Sequence, residues 1–142
     1  VKPACVYLIA ATALAACSSP STAPSGWQPA GSTHGAWRRG SGATLQTYTY
    51  TIRDFSGMLP DLASEVAIDV VLQHRGSKLR SSNPLGPCPG AAGLATFTLP
   101  ANETLEEGFA VHDGQARRAT YVRPSGAAAD PAVATAMQNL LC

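Results

Sequence analysis

The stretch LATFTLPANETLEEGFAVHDGQARRATYV, residues 94–122, decides the fold. Leu94–Leu99 alternates Leu94, Thr96 and Thr98 with Ala95, Phe97 and Leu99, the two-residue period of an extended strand. Pro100 ends it, because proline has no N–H to offer a ladder. Glu107–His112 and Gln115–Val122 flank Asp113-Gly114, a two-residue hairpin signal, since glycine takes φ > 0 without steric cost. Three neighbouring strands with no helix between them predict an antiparallel sheet.

Toward the C-terminus, Asp130-Pro131 predicts a helix start, with Asp130 as N-cap and Pro131 at the first helical position. Val133, Met137, Leu140 and Leu141 give that helix an apolar side, and Cys142 ends it. Toward the N-terminus, Asp61–Gln73, DLASEVAIDVVLQ, has helical periodicity. Leu59, Leu62, Ala63, Val66, Ala67 and Val70 form one stripe, with Glu65 and Asp69 assigned to the far side. Ile68 and Leu72 lie off the stripe, which predicts a second contact over them. Lys78–Ser82 reads as a strand, and Gly35-Ala36-Trp37 as a short edge segment. In Leu45–Ile52, LQTYTYTI, the face of Tyr48, Tyr50 and Ile52 is expected to meet the core.

The expected architecture is therefore α+β, an antiparallel sheet of five or six strands with two helices packed on one face. A chain of 142 residues has room for one such domain. Only 13% of residues are charged, and 13 Gly with 11 Pro argue against a coiled coil or helical bundle. The net charge of +1 excludes an electrostatic nucleic-acid binder, which needs a Lys/Arg surplus to displace phosphate counterions. The element order over residues 27–142 resembles the Mog1/PsbP-type α/β/α sandwich, with an NTF2-like cone as the alternative.

Outside this domain the informative segment is VKPACVYLIAATALAAC, Val1–Cys17. Lys2 precedes an apolar run from Ala4 to Ala16 that is too short for a bilayer core, which takes ~20 residues as a helix. It has the length of a signal-peptide apolar region. Leu14-Ala15-Ala16-Cys17 resembles the lipobox of bacterial lipoproteins, and Ser18–Ser25 is an uncharged Ser/Thr/Pro/Ala tether. The resemblance implies cleavage before Cys17 and acylation of its thiol and new amine, with two or more chains needed for persistent anchoring. The expected division is a signal peptide over 1–16, a lipidated Cys17 with its tether over 17–26, and one domain over 27–142. The expected address is the bacterial cell envelope. If the organism is Gram-negative, Ser18 after the cysteine resembles the outer-membrane sorting pattern, with the domain facing the periplasm.

With Cys5 in the leader and Cys17 lipidated, Cys88 and Cys142 remain as a pair in an oxidising compartment and are expected to be bonded. Closing a loop of about 54 residues is worth about 4 kcal/mol in the chain-entropy account. Two cysteines with no CxxC or HxxxH nearby supply too few ligands for zinc. Neither a metal nor a cofactor is expected.

The chain has no G-x-S-x-G nucleophile motif. Glu106 and Glu107 are adjacent on a strand, so they point to opposite faces and make poor acid–base partners. The doublets Arg38-Arg39 and Arg117-Arg118 read as solubilising charge. These features predict a non-catalytic envelope lipoprotein that binds another envelope protein or a small amphiphile. The alternative is an envelope hydrolase whose site the fold assembles around His112/Asp113 or His74.

Overall fold

The computed structural model describes residues 23–32, 34–40, 42–51, 59–88 and 91–142. The leader over 1–16, Cys17 and Ile52 lie outside the described residues, as do the side chains of Tyr50, Leu59, Asp61 and Leu62. The order of elements is β1 (Gln28–Pro29), β2 (Ala36–Arg39), β3 (Ala43–Thr51), α1 (Leu59–Gln73), β4 (Lys78–Pro84), β5 (Ala91–Leu99), β6 (Glu103–His112), β7 (Gln115–Pro124) and α2 (Pro131–Leu141). The strands form one antiparallel sheet in the order β1-β2-β3-β7-β6-β5-β4. The fold is α+β, and the described residues hold seven strands. The added one, β1, is two residues long and has no alternation to announce it.

The β6–β7 hairpin turns at Asp113 and Gly114, with φ of 49° and 71°. Both values lie in the left-handed region that the Asp-Gly pair tolerates. From this hairpin the register runs outward, pairing Glu107 with Thr120 and with Ala95.

The helices lie on opposite faces of the sheet, not on one. Along β6, Leu105, Glu107 and Phe109 point toward α1, while Gly108 and Ala110 point toward α2. This central strand is buried on both sides. A two-sided core needs small residues where the backbone must come close, and Gly108 is such a place. A Cβ there would stand 2.5 Å from Leu141 Cδ1 and 2.8 Å from Met137 Cε.

On one face α1 lies over β4, β5 and β6, burying Val66 and Val70 against Phe97, Leu99, Leu105 and Phe109. On the other, α2 lies over β6 and β7, and Val133, Met137 and Leu141 join Trp27, Trp37, Leu45 and Tyr121. The core side of β3 is thus that of Leu45, which pairs with Trp37 and Tyr121. Tyr48 points to the other face and is exposed. The face differs from the expected one because, among the described residues, α1 packs mainly on β4, β5 and β6 and leaves Tyr48 at the rim.

Asp130 caps α2 as expected, accepting from the Ala132 N–H at 2.9 Å, and Pro131 opens the first turn. Cys88 and Cys142 form a disulfide with a Cα–Cα distance of 4.7 Å. It ties the end of α2 to the Pro-rich loop after β4.

Candidate functional site

Where α1 meets the middle of the sheet, polar groups that alternation sends to one face converge. Tyr48 comes from β3, Arg118 and Thr120 from β7, and Glu107 from β6. Strand pairing sets Tyr48 opposite Arg118 and Thr120 opposite Glu107, so the four make a diagonal cluster across three strands. The opposite wall is the last two turns of α1, carrying Asp69, Val70 and Gln73, followed by His74. A groove of about 190 Å³ lies between the walls.

Glu107 is fully buried at the floor. Its carboxylate accepts from Arg118 Nε at 2.7 Å and from Thr120 Oγ1 at 2.6 Å. Arg118 Nη1 reaches Asp69 Oδ2 at 2.7 Å, and Gln73 Nε2 donates to the same oxygen at 3.0 Å. Arg118 therefore bridges two carboxylates from two elements, a charge-assisted arrangement that holds α1 to β7.

Burial pushes the Glu107 carboxyl above its ordinary range, against the pull of Arg118 and Thr120. Burial also works against the Arg118 charge, but Glu107 and Asp69 outweigh it and hold the guanidinium protonated. Arg118 is charged in any case, so the dry floor acts on Glu107, whose ionisation costs more there than in water. Tyr48 is raised by burial and by the nearby Glu107. The groove thus offers a phenol, an imidazole and an amide at its walls above a closed ion pair.

Several sequence expectations change here. The helical periodicity places Asp69 on the far side of α1, yet its carboxylate turns to the groove and meets Arg118. The two arginine doublets are not simply solubilising charge, because alternation splits each of them. Arg118 enters the groove, Arg117 donates to the Leu140 carbonyl at 3.2 Å, and Arg39 pairs with Asp130, leaving Arg38 exposed. Glu106 and Glu107 do point to opposite faces, Glu106 meeting Arg123 Nη2 at 2.9 Å.

Of the histidines considered for catalysis, His74 lines the groove. His112 stands at the hairpin turn with Asp113 Oδ2 3.0 Å from its Nε2, both side chains open to solvent. The fold does not bring His112 and His74 together at the groove. Among the described residues, no three His, Cys, Asp or Glu side chains gather to hold a metal ion, and no helix is long and apolar enough to cross a membrane.

A second cavity of about 280 Å³ lies near the start of α2, lined by Arg39, Tyr121, Arg123 and Asp130. Asp130 closes its polar side. The carboxylate takes the helix amide, the Trp27 indole and Arg39, filling the place an anion would occupy at a helix N-terminus.

No known protein family matches the chain, and no curated protein is significantly similar to it.

Proposed function

We propose that this chain is a bacterial envelope lipoprotein, held to a membrane through acylated Cys17, whose domain binds another envelope protein or a small amphiphile without catalysing a reaction. The carrying observation is the groove between α1 and the strands β3, β6 and β7. It is large enough for a small molecule, and its charged floor is already self-neutralised by Glu107 and Arg118. A floor closed in this way suits recognition by the exposed walls better than proton transfer from the buried acid. The Cys88–Cys142 disulfide supports an exported address, since structural disulfides persist in oxidising compartments. A helix on each face of one antiparallel sheet supports the Mog1/PsbP-type sandwich reading.

Two measurements test this reading. Palmitate labelling in cells should mark the wild-type chain and spare Cys17→Ala; equal labelling of both overturns the anchor. Crosslinking from an unnatural photoreactive residue at Tyr48, in envelope membranes, should capture a ligand or partner that Gln73→Trp excludes by filling the groove.

The hydrolase reading keeps one observation in its favour, the position of His74 on the groove wall near Glu107. It predicts ester cleavage that His74→Ala abolishes and Tyr48→Phe leaves in place.

A further inference from the structure

Charge does not balance around the groove. Among the described residues that line or rim it, Arg118 is the one fixed cation, and it meets two carboxylates, Glu107 and Asp69, each at 2.7 Å. Glu107 and Arg118 neutralise each other on the floor, which leaves the charge of Asp69 at the rim in surplus. The bonds from Arg118 and Gln73 both fall on Asp69 Oδ2, so the carboxylate keeps acceptor capacity on its second oxygen. Gln73 spends its Nε2 on that bond, and its amide oxygen is what it has left to offer a ligand.

The end of α1 adds to the same sign. Val70, Gln73 and His74 bring the last turn of this 15-residue helix to the groove, where the negative end of its dipole and its final carbonyls lie. That turn holds no basic residue, and Arg75 beyond it does not line the groove. Tyr48, 43% exposed, presents an aromatic ring whose face attracts cations. Burial raises the Tyr48 phenol first, and Glu107 and Asp69 raise it by more than Arg118 lowers it, so the field at the mouth is negative. Val70 and Leu105 form the apolar part of the lining. Ile68 and Leu72, exposed on the outer side of α1, take no part in it.

From this juxtaposition we propose that the groove takes a primary ammonium head on a short aliphatic stem, the head held by Asp69, the Gln73 amide oxygen and the Tyr48 ring and the stem lying along Val70 and Leu105. The proposal rests on the binding role given to the groove above, and it names the charge and shape of what binds. An anion is disfavoured, because it would meet the Asp69 charge and the helix end while Arg118 is already committed to two carboxylates. An ammonium group has three donors and no acceptor, which matches walls that offer a carboxylate oxygen, an amide oxygen and a phenol. The same chemistry is carried by a small free alkylamine and by the lysine side chain of a partner protein.

The test titrates the full chain, in detergent, with n-butylamine, with Nα-acetyl-lysine methylamide, and with 1-butanol and butyrate as neutral and anionic controls. The readout is the NMR signal of the Gln73 side-chain amide and the Arg118 Nε–H. Both amines should shift these signals with dissociation constants of about a millimolar, weakened by salt, while butanol and butyrate leave them in place. Asp69→Asn should weaken amine binding about fivefold. Tyr48→Leu, which leaves the ion pairs intact, should weaken it about threefold. Leu72→Ala should leave it unchanged. Tighter binding of the lysine probe assigns the head to a partner protein, and tighter binding of butylamine assigns it to a small ligand; either supports the proposal. Butanol or butyrate binding as well as the amines overturns it, as do silence toward both amines and indifference to Asp69→Asn and Tyr48→Leu together. Capture at Tyr48 in envelope membranes with no response to amines keeps the binding groove and rejects the cation. Amine binding with nothing captured in membranes rejects the envelope ligand and keeps the cation preference.

Discussion

The indole Nε1 of Trp27 donates to Asp130 Oδ2 at 3.0 Å, joining the start of the domain to the cap of its last helix across 103 residues of sequence. The ring also meets Tyr121 edge-on, 5.9 Å between centroids, and the Tyr121 hydroxyl accepts from the Asp130 N–H. Trp27→Phe should keep the edge contact, lose the donor and cost about 1 kcal/mol in urea unfolding. Asp130→Ala should cost more, up to about 2 kcal/mol for the helix cap alone, with Arg39 and Trp27 losing their acceptor as well. A Trp27→Phe effect unchanged in the Asp130→Ala background would show that the pair does not interact.

Glu107 and Asp130 should bend the pH dependence of stability in opposite directions. Burial holds the Glu107 carboxyl up in the folded state, so its ionisation penalises folding at neutral pH. That penalty is full above the folded value and gone below the unfolded value of about 4.3. Burial raises Asp130 too, but the Trp27, Ala132 and Arg39 donors outweigh it and hold the carboxyl low. Its contribution is complete above the ordinary value of about 3.9 and is lost as pH falls through the depressed one. Urea midpoints against pH should therefore rise in Asp130→Asn relative to wild type only as the pH becomes acid. In Glu107→Gln the relative gain should be largest at neutral pH.

Removing one partner of the buried pair should be far worse than neutralising the acid. Arg118→Met leaves Glu107 charged, dry and without its strongest donor, and should cost about 3–5 kcal/mol. Glu107→Gln keeps a hydrogen-bonding group beside Thr120 and should change stability by about 1 kcal/mol. Combining them should recover much of the Arg118→Met loss, a coupling that a double-mutant cycle reads directly.

Gly108→Val should displace α2. The added carbons would stand where Leu141 and Met137 already touch the strand. Overpacking of this kind typically costs 1–3 kcal/mol, and hydrogen exchange should locate the loss in Pro131–Leu141. Exchange that rises in α1 instead would contradict the assignment of helices to faces.

Reducing the disulfide should lower stability by about 4 kcal/mol at most, the chain-entropy figure for the 54-residue separation. Mass spectrometry of the unreduced protein should find the peptides of Cys88 and Cys142 linked. Cys88→Ser should give the same loss as the double serine variant.

The strands from 94 to 122 were legible because their alternation and the Asp-Gly turn are local signals that the structure keeps. The start of α2 was legible for the same reason, since a cap is written in two adjacent residues. What the sequence hid depends on partners distant along the chain. Tyr48 looks like a core residue until α1 is seen to stop over β6, and Asp69 looks like a solvent residue until Arg118 is set 49 residues away in sequence and 2.7 Å in space. A signal for the groove did exist. Glu107 and Arg118 lie on the same face of a hairpin whose register follows from the turn, so their diagonal pairing was open to calculation. The two-sided burial of β6 was also visible, in the small residues Gly108 and Ala110 between Glu107 and Val111.

Strand order carries a consequence for how the polypeptide matures. The ribbon begun at Gln28 finds its neighbour only in Gln115–Pro124, which follows β4, β5 and β6 in the chain and takes the middle seat of seven among the described strands. Until then the early hairpin and the later strands have no element in common. A fragment that stopped short of Gln115 would hold two unjoined pieces of sheet, so the two halves of the domain close only when the central strand is added.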